Sequence, residues 1–368
     1  MMGNKEKNAT KICKELWLHP FESRIELSKN LKLDKSTVTS EVAKLIKDNI
    51  IIELPKEIDD NSLSSGRKPI PLILNKEFGV VLGIAIQVGS CTVSEVSLSG
   101  LVIESKEYFL NITKENIKEE VLRIYNEFLF TRTKNDPKCY GLGIGVGGLI
   151  DYRNNTIKYS VTLDVEQEFS FIEEIEKETK LVVTLENNAN CCAWSKLVPN
   201  NDSLSDFIFV LLEFKQALIP HKKYGGIGVG LGFVIDGKIH YGVNSYSGEF
   251  RSCFCKEKNE NQTLLSKEEE KRVLEDSEIM ARFIAEISAN IASLANTLDV
   301  SCIYIGSDIE KPANILSSKI EKDINNNWLF PVEKKIKVTC SSFGTNTIAL
   351  GAAQKLINEL FSLGLLPE

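Results

Sequence analysis

The residues whose chemistry is easiest to name lie near the N-terminus. Lys35, Ser36, Thr37, Thr39 and Ser40 crowd one stretch, ELSKNLKLDKSTVTSEVAKL, in which Leu27, Leu31, Leu33, Val38, Val42 and Leu45 recur at helical spacing. With the leucines and valines turned inward and the polar set outward, this is the pattern of a helix-turn-helix whose second helix enters a major groove. Hydroxyls and an ammonium at the start of that helix reach base edges or phosphates, and Arg67 and Lys68, on the wing that follows, add phosphate or minor-groove contacts. The plain alternative is a three-helix packing module. Lys32 stands where glycine is usual in the turn, and a positive φ there costs about 1 kcal/mol or more.

Two glycine rows form the second chemical signal. GLGIGVGG at 141–148 and GIGVGLG at 226–232 place glycine at every second position, which bares one face of a strand. Either a neighbouring element packs closely there or backbone amides approach a ligand, and glycine alone does not decide between them. Metal chemistry is poorly served. The nine cysteines include no CxxC pair, the adjacent Cys191 and Cys192 cannot easily bridge, and the three histidines, His19, His221 and His240, are far apart. Reduced thiols and no metal are expected.

These groups need elements to hold them. Positions 10–49 read as three short helices, broken at His19-Pro20 and at Lys32-Leu33-Asp34, with Asp34 expected to cap the third. Runs at 50–54 and 69–74 form a two-stranded wing with a basic tip, Gly66-Arg67-Lys68, closing a first unit at 1–75. Strands at 79–88, 92–98 and 101–110, a helix at 115–131 and the glycine strand at 141–148 open an α/β unit. A helix at 169–179, a strand at 180–185 and a helix from Asn188 continue it. Strands at 207–214, 227–235 and 238–241, a long helix at 275–298, a strand at 302–306 and a helix at 346–363 complete the chain.

With 368 residues the chain suits two or three folded units. Its longest apolar stretches reach about half of the roughly 18 residues a membrane span needs. The first ten residues, MMGNKEKNAT, lack a secretory pattern, so a cytoplasmic protein without membrane contact is expected. Net charge is −7, yet residues 1–75 hold 13 Lys and Arg against 11 Asp and Glu, which confines any nucleic-acid contact to that part.

A winged helix ending in SGRKPIPLILN and followed by VLGIAIQVGS resembles the repressor branch of the ROK (repressor, open reading frame, kinase) family. LGIGVGGLID at 142–151, LENNAN at 185–190, GIGVGLGFVIDGKI at 226–239, YSGEF at 246–250 and ALGAA at 349–353 recur in family order, so the similarity spans nearly the whole chain. It implies an α/β body of two actin-like (ribonuclease H-like, sugar kinase) lobes, 76–190 plus 344–368 and 191–343. A sugar would sit in the cleft and, in kinase members, ATP beside it.

The resemblance also marks departures. Family kinases carry an aspartate in ENDAN as base toward the sugar hydroxyl; here Asn188 holds that position, and an amide cannot take the proton. The first phosphate loop, DxGGT in kinases, is matched by Ala85-Ile86-Gln87-Val88-Gly89, and Ile227 replaces a threonine of the second. No catalytic residue and no cofactor are therefore expected. Asn187, Asn188, Glu249 and Gly148 remain as implied ligand contacts, although a glutamate such as Glu249 can also serve as a cap or an ion-pair partner. The family's zinc set, a histidine just after the glutamate and three cysteines, is reduced to Cys253 and Cys255, with no histidine after Glu249 and no GCxE downstream.

The expected protein is a sugar-responsive DNA-binding transcriptional regulator, a repressor of carbohydrate genes with a non-catalytic sensor body. Its partners would be operator DNA and a small carbohydrate, bound as a homodimer or homotetramer because one short recognition helix binds weakly. The competing readings are an ATP-dependent sugar kinase carrying a DNA-binding head and an interaction module with a vestigial cleft.

Overall fold

The apolar spacing at the start of the chain folds as three helices and a ribbon. Helices α1 (Asn8–Leu18), α2 (Arg24–Asn30) and α3 (Lys35–Lys47) close on Ile12, Leu16, Leu27, Val38, Val42 and Leu45. After them β1 (Ile51–Glu53) pairs antiparallel with β2 (Leu72–Leu74), which buries Leu72 and Leu74 against the same core. The computed structural model describes residues 8–54, 69–197, 206–214, 226–256, 261–341 and 346–364, so Arg67 and Lys68 lie outside the described residues.

Local chemistry sets the helix ends. The Ser23 amide donates to Glu26 Oε2 at 2.7 Å and the Glu26 amide donates to Ser23 Oγ at 3.4 Å, a reciprocal cap on α2. Ser23→Ala is expected to cost about 1 kcal/mol, read as a lower urea midpoint with amide exchange in α2 rising most. Lys32 does adopt the left-handed backbone, φ 53°. Asp34 corrects the expectation made for it: it holds the N-cap position of α3 but makes no side-chain cap bond. Its side chain is exposed, where water competes on equal terms with the backbone amides.

The body repeats one sheet order. Strands β3 (Gly79–Gln87), β4 (Ser90–Ser97), β5 (Val102–Tyr108), β6 (Lys138–Val146) and β9 (Val182–Asn187) form the sheet β5-β4-β3-β6-β9. The second sheet, β12-β11-β10-β13-β14, is built from β10 (Phe207–Glu213), β11 (Gly228–Ile235), β12 (Lys238–Ile239), β13 (Cys302–Ser307) and β14 (Lys337–Cys340). In each, three antiparallel strands lead into two parallel ones. Helices α4 (Ile117–Phe130) and α5 (Ile172–Thr179) cover the outer face of the first sheet, and α8 (Ser277–Leu298) and α9 (Glu310–Asn326) that of the second. A hairpin of β7 (Leu149–Asp151) and β8 (Thr156–Tyr159) and the short helix α7 (Lys267–Arg272) complete the order.

Between the sheets lie α6 (Asn188–Leu197) and α10 (Asn346–Leu363), and they explain the glycine rows. A Cβ on Gly83 or Gly143 would stand 1.8 or 2.2 Å from a backbone oxygen of α10, and one on Gly232 would stand 2.6 Å from the Ala189 oxygen of α6. Close helix packing is thus the reason for most of the alternation. Helix α6 runs through position 190, where the sequence parts the lobes, and packs on β10 and β11. At its far end α10 receives the head: the Trp17 and Phe361 rings lie 6.0 Å apart, and Lys14 Nζ donates to Ser362 Oγ at 2.8 Å.

Candidate functional site

Where the two sheets face each other a cavity of about 290 Å³ opens. That is close to the lower end, ~300 Å³, of ordinary ligand pockets. Asn187, Asn188, Glu249 and Gly148, distant in sequence, all line it.

Each is held by its local fold. Asn187 ends β9, where its Oδ1 accepts from the Ala189 and Asn190 amides at 2.8 and 3.3 Å and so caps α6. Its Nδ2 donates to the Gly148 oxygen at 3.0 Å. Gly148 has φ 139°, and a Cβ there would meet the Tyr159 oxygen at 2.3 Å, so only glycine fits this turn. Asn188 is buried; its Oδ1 accepts from the Ala189 amide at 2.9 Å and its Nδ2 donates to Glu213 Oε2 at 2.7 Å. Both ends of the Asn188 amide are therefore committed.

Glu249 follows Gly148's pattern from the other lobe. Gly248, at φ 96° with no room for a Cβ beside the Leu231 oxygen, accepts from the Leu231 amide at 2.9 Å and presents the next residue beside β11. Water reaches the Glu249 side chain through the cleft mouth, but protein surrounds it otherwise, and this desolvation pushes its carboxyl up to about 7. It accepts no hydrogen bond among the described residues, so neither the capping nor the ion-pair alternative accounts for it.

One wall residue had not been singled out. Glu213 ends the otherwise apolar strand FIFVLLE, buried, with Oε1 accepting from Gln87 Nε2 at 3.1 Å and Oε2 from Asn188. Burial pushes its carboxyl up to about 7; the Gln87 donor opposes this, Asp308 nearby adds to it, and the Asn188 donor opposes it again. The available signal was a single acid closing a run of core residues.

Behind Asn187 and Asn188 lies a buried polar layer. Glu186 accepts from the Asn187 amide at 2.8 Å, from Asn190 Nδ2 at 3.1 Å and from the Tyr241 hydroxyl at 2.8 Å. Lys355 of α10 stands 3.8 Å from Glu186 and donates to the Leu185 oxygen at 2.7 Å. The loop carrying Cys253 and Cys255 is tied by hydrogen bonds: Asn290 Oδ1 accepts from the Cys253 amide at 2.9 Å, and Gln262 Nε2 donates to the Phe250 oxygen at 2.8 Å. Both cysteines are free thiols, and among the described residues no three His, Cys, Asp or Glu side chains gather to hold a metal. Two thiols do not fit a tetrahedral zinc.

On the head, Lys35, Ser36, Thr39 and Ser40 are exposed along α3 and Thr37 is half-buried. Thr39 Oγ1 is turned back onto the Lys35 oxygen at 2.7 Å. No helix among the described residues is long and apolar enough to cross a membrane.

Comparison with known proteins agrees with this architecture. The ROK family profile matches residues 83–251. The xylose repressor of Bacillus spizizenii is 24% identical over 98% of this chain and 97% of its own length, and that of Caldicellulosiruptor bescii is 24% identical over 98% and 99%. Among solved structures, a ROK family transcriptional regulator, homologue of the Escherichia coli MLC protein, superposes with a TM-score of 0.74 at 20% identity, covering 98% of this chain and 97% of its own. A ROK family glucokinase from Streptomyces griseus, in complex with glucose and AMPPNP, gives 0.58 at 18% identity, with 99% of its length on 75% of this chain. The kinase thus matches only part of the chain, while the regulator matches nearly all of it. The family profile over residues 83–251, the relatives aligned along nearly the whole chain and the two-lobed body all make this chain similar to the ROK family.

Proposed function

We propose that this chain is a sugar-responsive DNA-binding transcriptional regulator, a repressor of carbohydrate genes, whose body senses a small neutral carbohydrate without phosphorylating it. The observation that carries the sensor half is Asn188: at the family's base position stands an amide, hydrogen-bonded at both ends, that cannot accept a proton. General-base catalysis contributes roughly 10²- to 10⁴-fold, so its loss removes most phosphoryl transfer. The unpaired Glu249 carboxylate accepts sugar hydroxyls through charge-assisted bonds.

The exposed polar row of α3 supports the DNA half, with Arg67 and Lys68 as wing contacts. A homodimer, or a homotetramer built on it, presents two heads to a palindrome, and operator DNA as partner places the protein in the cytoplasm. Because α1 rests on α10, which lies on the cleft's first sheet, lobe closure around a sugar moves the head. That shift is bounded by the sugar's differential affinity for the two states.

One observation favours the kinase reading: Glu213 sets a carboxylate 2.7 Å from the Asn188 amide. Incubation with ATP and D-xylose, D-glucose or N-acetylglucosamine separates the two. Turnover in the wild type that disappears in Glu213→Gln makes the chain an enzyme; no turnover, with a sugar-induced rise in melting temperature that Glu249→Ala abolishes, supports the sensor. On DNA fragments selected by the protein itself, Lys35→Ala and Ser36→Ala are expected to weaken binding about tenfold. Arg67→Ala should lower the salt slope by about one. Unchanged binding in all three would remove this face from the interface.

A further inference from the structure

Two departures from the kinase pattern, Gln87 and Asn188, meet at Glu213. Glu213, at the end of β10 in the second sheet, accepts from Gln87, at the end of β3 in the first, and from Asn188, at the start of α6. Only 7% of Glu213 is exposed, and it forms part of the cavity wall. Two amides donating to one carboxylate are a matched set. Carboxylates at 87 and 188 as well would bring three like charges within hydrogen-bond reach. The three side chains therefore act as a unit in which the negative charge has moved to the middle.

We propose that Gln87, Glu213 and Asn188 form a latch joining the two lobes across the cleft floor, and that Glu213 selects an uncharged polyol over a phosphorylated one. The selectivity rests on the sugar-sensing reading; the latch does not. A carboxylate oxygen can accept more than one hydrogen bond, so hydroxyls of a neutral ligand can join the donors that Glu213 already serves. A phosphate brings further negative charge into a site of low dielectric. Facing Glu213 are Asp308 after β13, Cys192 of α6 and, around the cavity, Glu249 and Arg251. Arg251 is the one basic residue among the described residues of the wall, and it already holds a partner. Burial raises the Glu213 carboxyl to about 7, so it is mostly ionised at pH 8.

The full-length protein at pH 8 serves for both tests. Without ligand, backbone amide exchange at residues 86–89 and 187–190 should rise at least tenfold in Glu213→Ala, with the winged helix unchanged and Glu213→Gln intermediate. Exchange equal to wild type in the alanine variant overturns the latch. For selectivity, thermal shifts are compared for D-xylose and D-glucose, their 5- and 6-phosphates, and inorganic phosphate. The wild type should respond to a neutral sugar and to no phosphate, and Glu213→Gln should narrow that preference at least tenfold. A wild type preferring the ester, or an unaltered ratio in the variant, overturns selection. If neither sugar nor ester stabilises the wild type, the sensing reading fails together with selection, while exchange still decides the latch.

Discussion

Replacing Lys355 with methionine is expected to lower stability by about 3–5 kcal/mol, the cost of breaking a buried ion pair from one side. Lys355 is 1% exposed although it is a lysine, and Glu186 is equally buried. Removing the ammonium leaves a carboxylate held by three donors, the Asn187 amide, Asn190 and Tyr241, with no opposite charge beside it among the described residues. The Tyr241 hydroxyl cannot replace the cation, because a phenol is either neutral or negative; burial first and Glu186 second hold it in its neutral form. The buried carboxylate is then left without its cation.

A double-mutant cycle in urea checks this. Glu186→Gln with Lys355→Met should be less destabilised than the sum of the single changes; additive costs would mean the two do not act as a pair. Because Glu186 directly precedes Asn187 and Asn188, the lysine variant should also lose sugar-induced stabilisation. The buried charges thus set the geometry of the two cavity residues rather than adding net stability.

What the sequence discloses and what it conceals follow from how local each feature is. The last helix reads directly as 346–363 because an uninterrupted apolar pattern fills it, and the three head helices follow from leucine and valine spacing. The glycine rows are visible as a pattern, but their cause needs α6 and α10, which come from chain positions far away. Helix α9 has no counterpart in the sequence reading: Pro312 sits in its first turn and its surface is polar, although Leu316, Ile320 and Ile324 mark a buried stripe. Strand β14 and the β7–β8 hairpin are only three or four residues long, too short for a period to show.

The site divides in the same way. Asn187, Asn188, Glu249 and Gly148 were found by motif order, and the fold brings them to one cavity. Glu213 was not found, because a glutamate at a strand end has no meaning until Gln87, 126 positions earlier, and Asn188 converge on it. Asp34 erred in the opposite sense: its residue type predicts a cap, but an exposed carboxylate has water as an equal partner.

Gly351→Ala is expected to be the most damaging of the small-residue changes. A Cβ on Gly351 would lie 1.6 Å from the Cys191 carbonyl oxygen and 2.4 Å from its carbon, backbone atoms that no rotamer change can move aside. Helix propensity runs the other way, since alanine is favoured over glycine by roughly 1 kcal/mol in a helix interior. Overpacking typically costs 1–3 kcal/mol even where side chains can adjust, so a backbone clash at this seam should exceed about 3 kcal/mol. The two helices belong to different layers: α10 lies on β3 and β6, α6 on β10 and β11. Parting them therefore shifts one lobe against the other and carries α1, seated on Phe361 and Ser362, with it. The variant should show a lowered urea midpoint together with weakened DNA binding, although residue 351 is remote from α3 in sequence. Gly83→Ala, whose Cβ meets the Ala349 oxygen at 1.8 Å within the first lobe, serves as the comparison. It should destabilise without altering the α6–α10 crossing. Were Gly351→Ala as stable as wild type or more so, propensity alone would rule the position, and this crossing could not be the rigid joint that transmits lobe movement to the head.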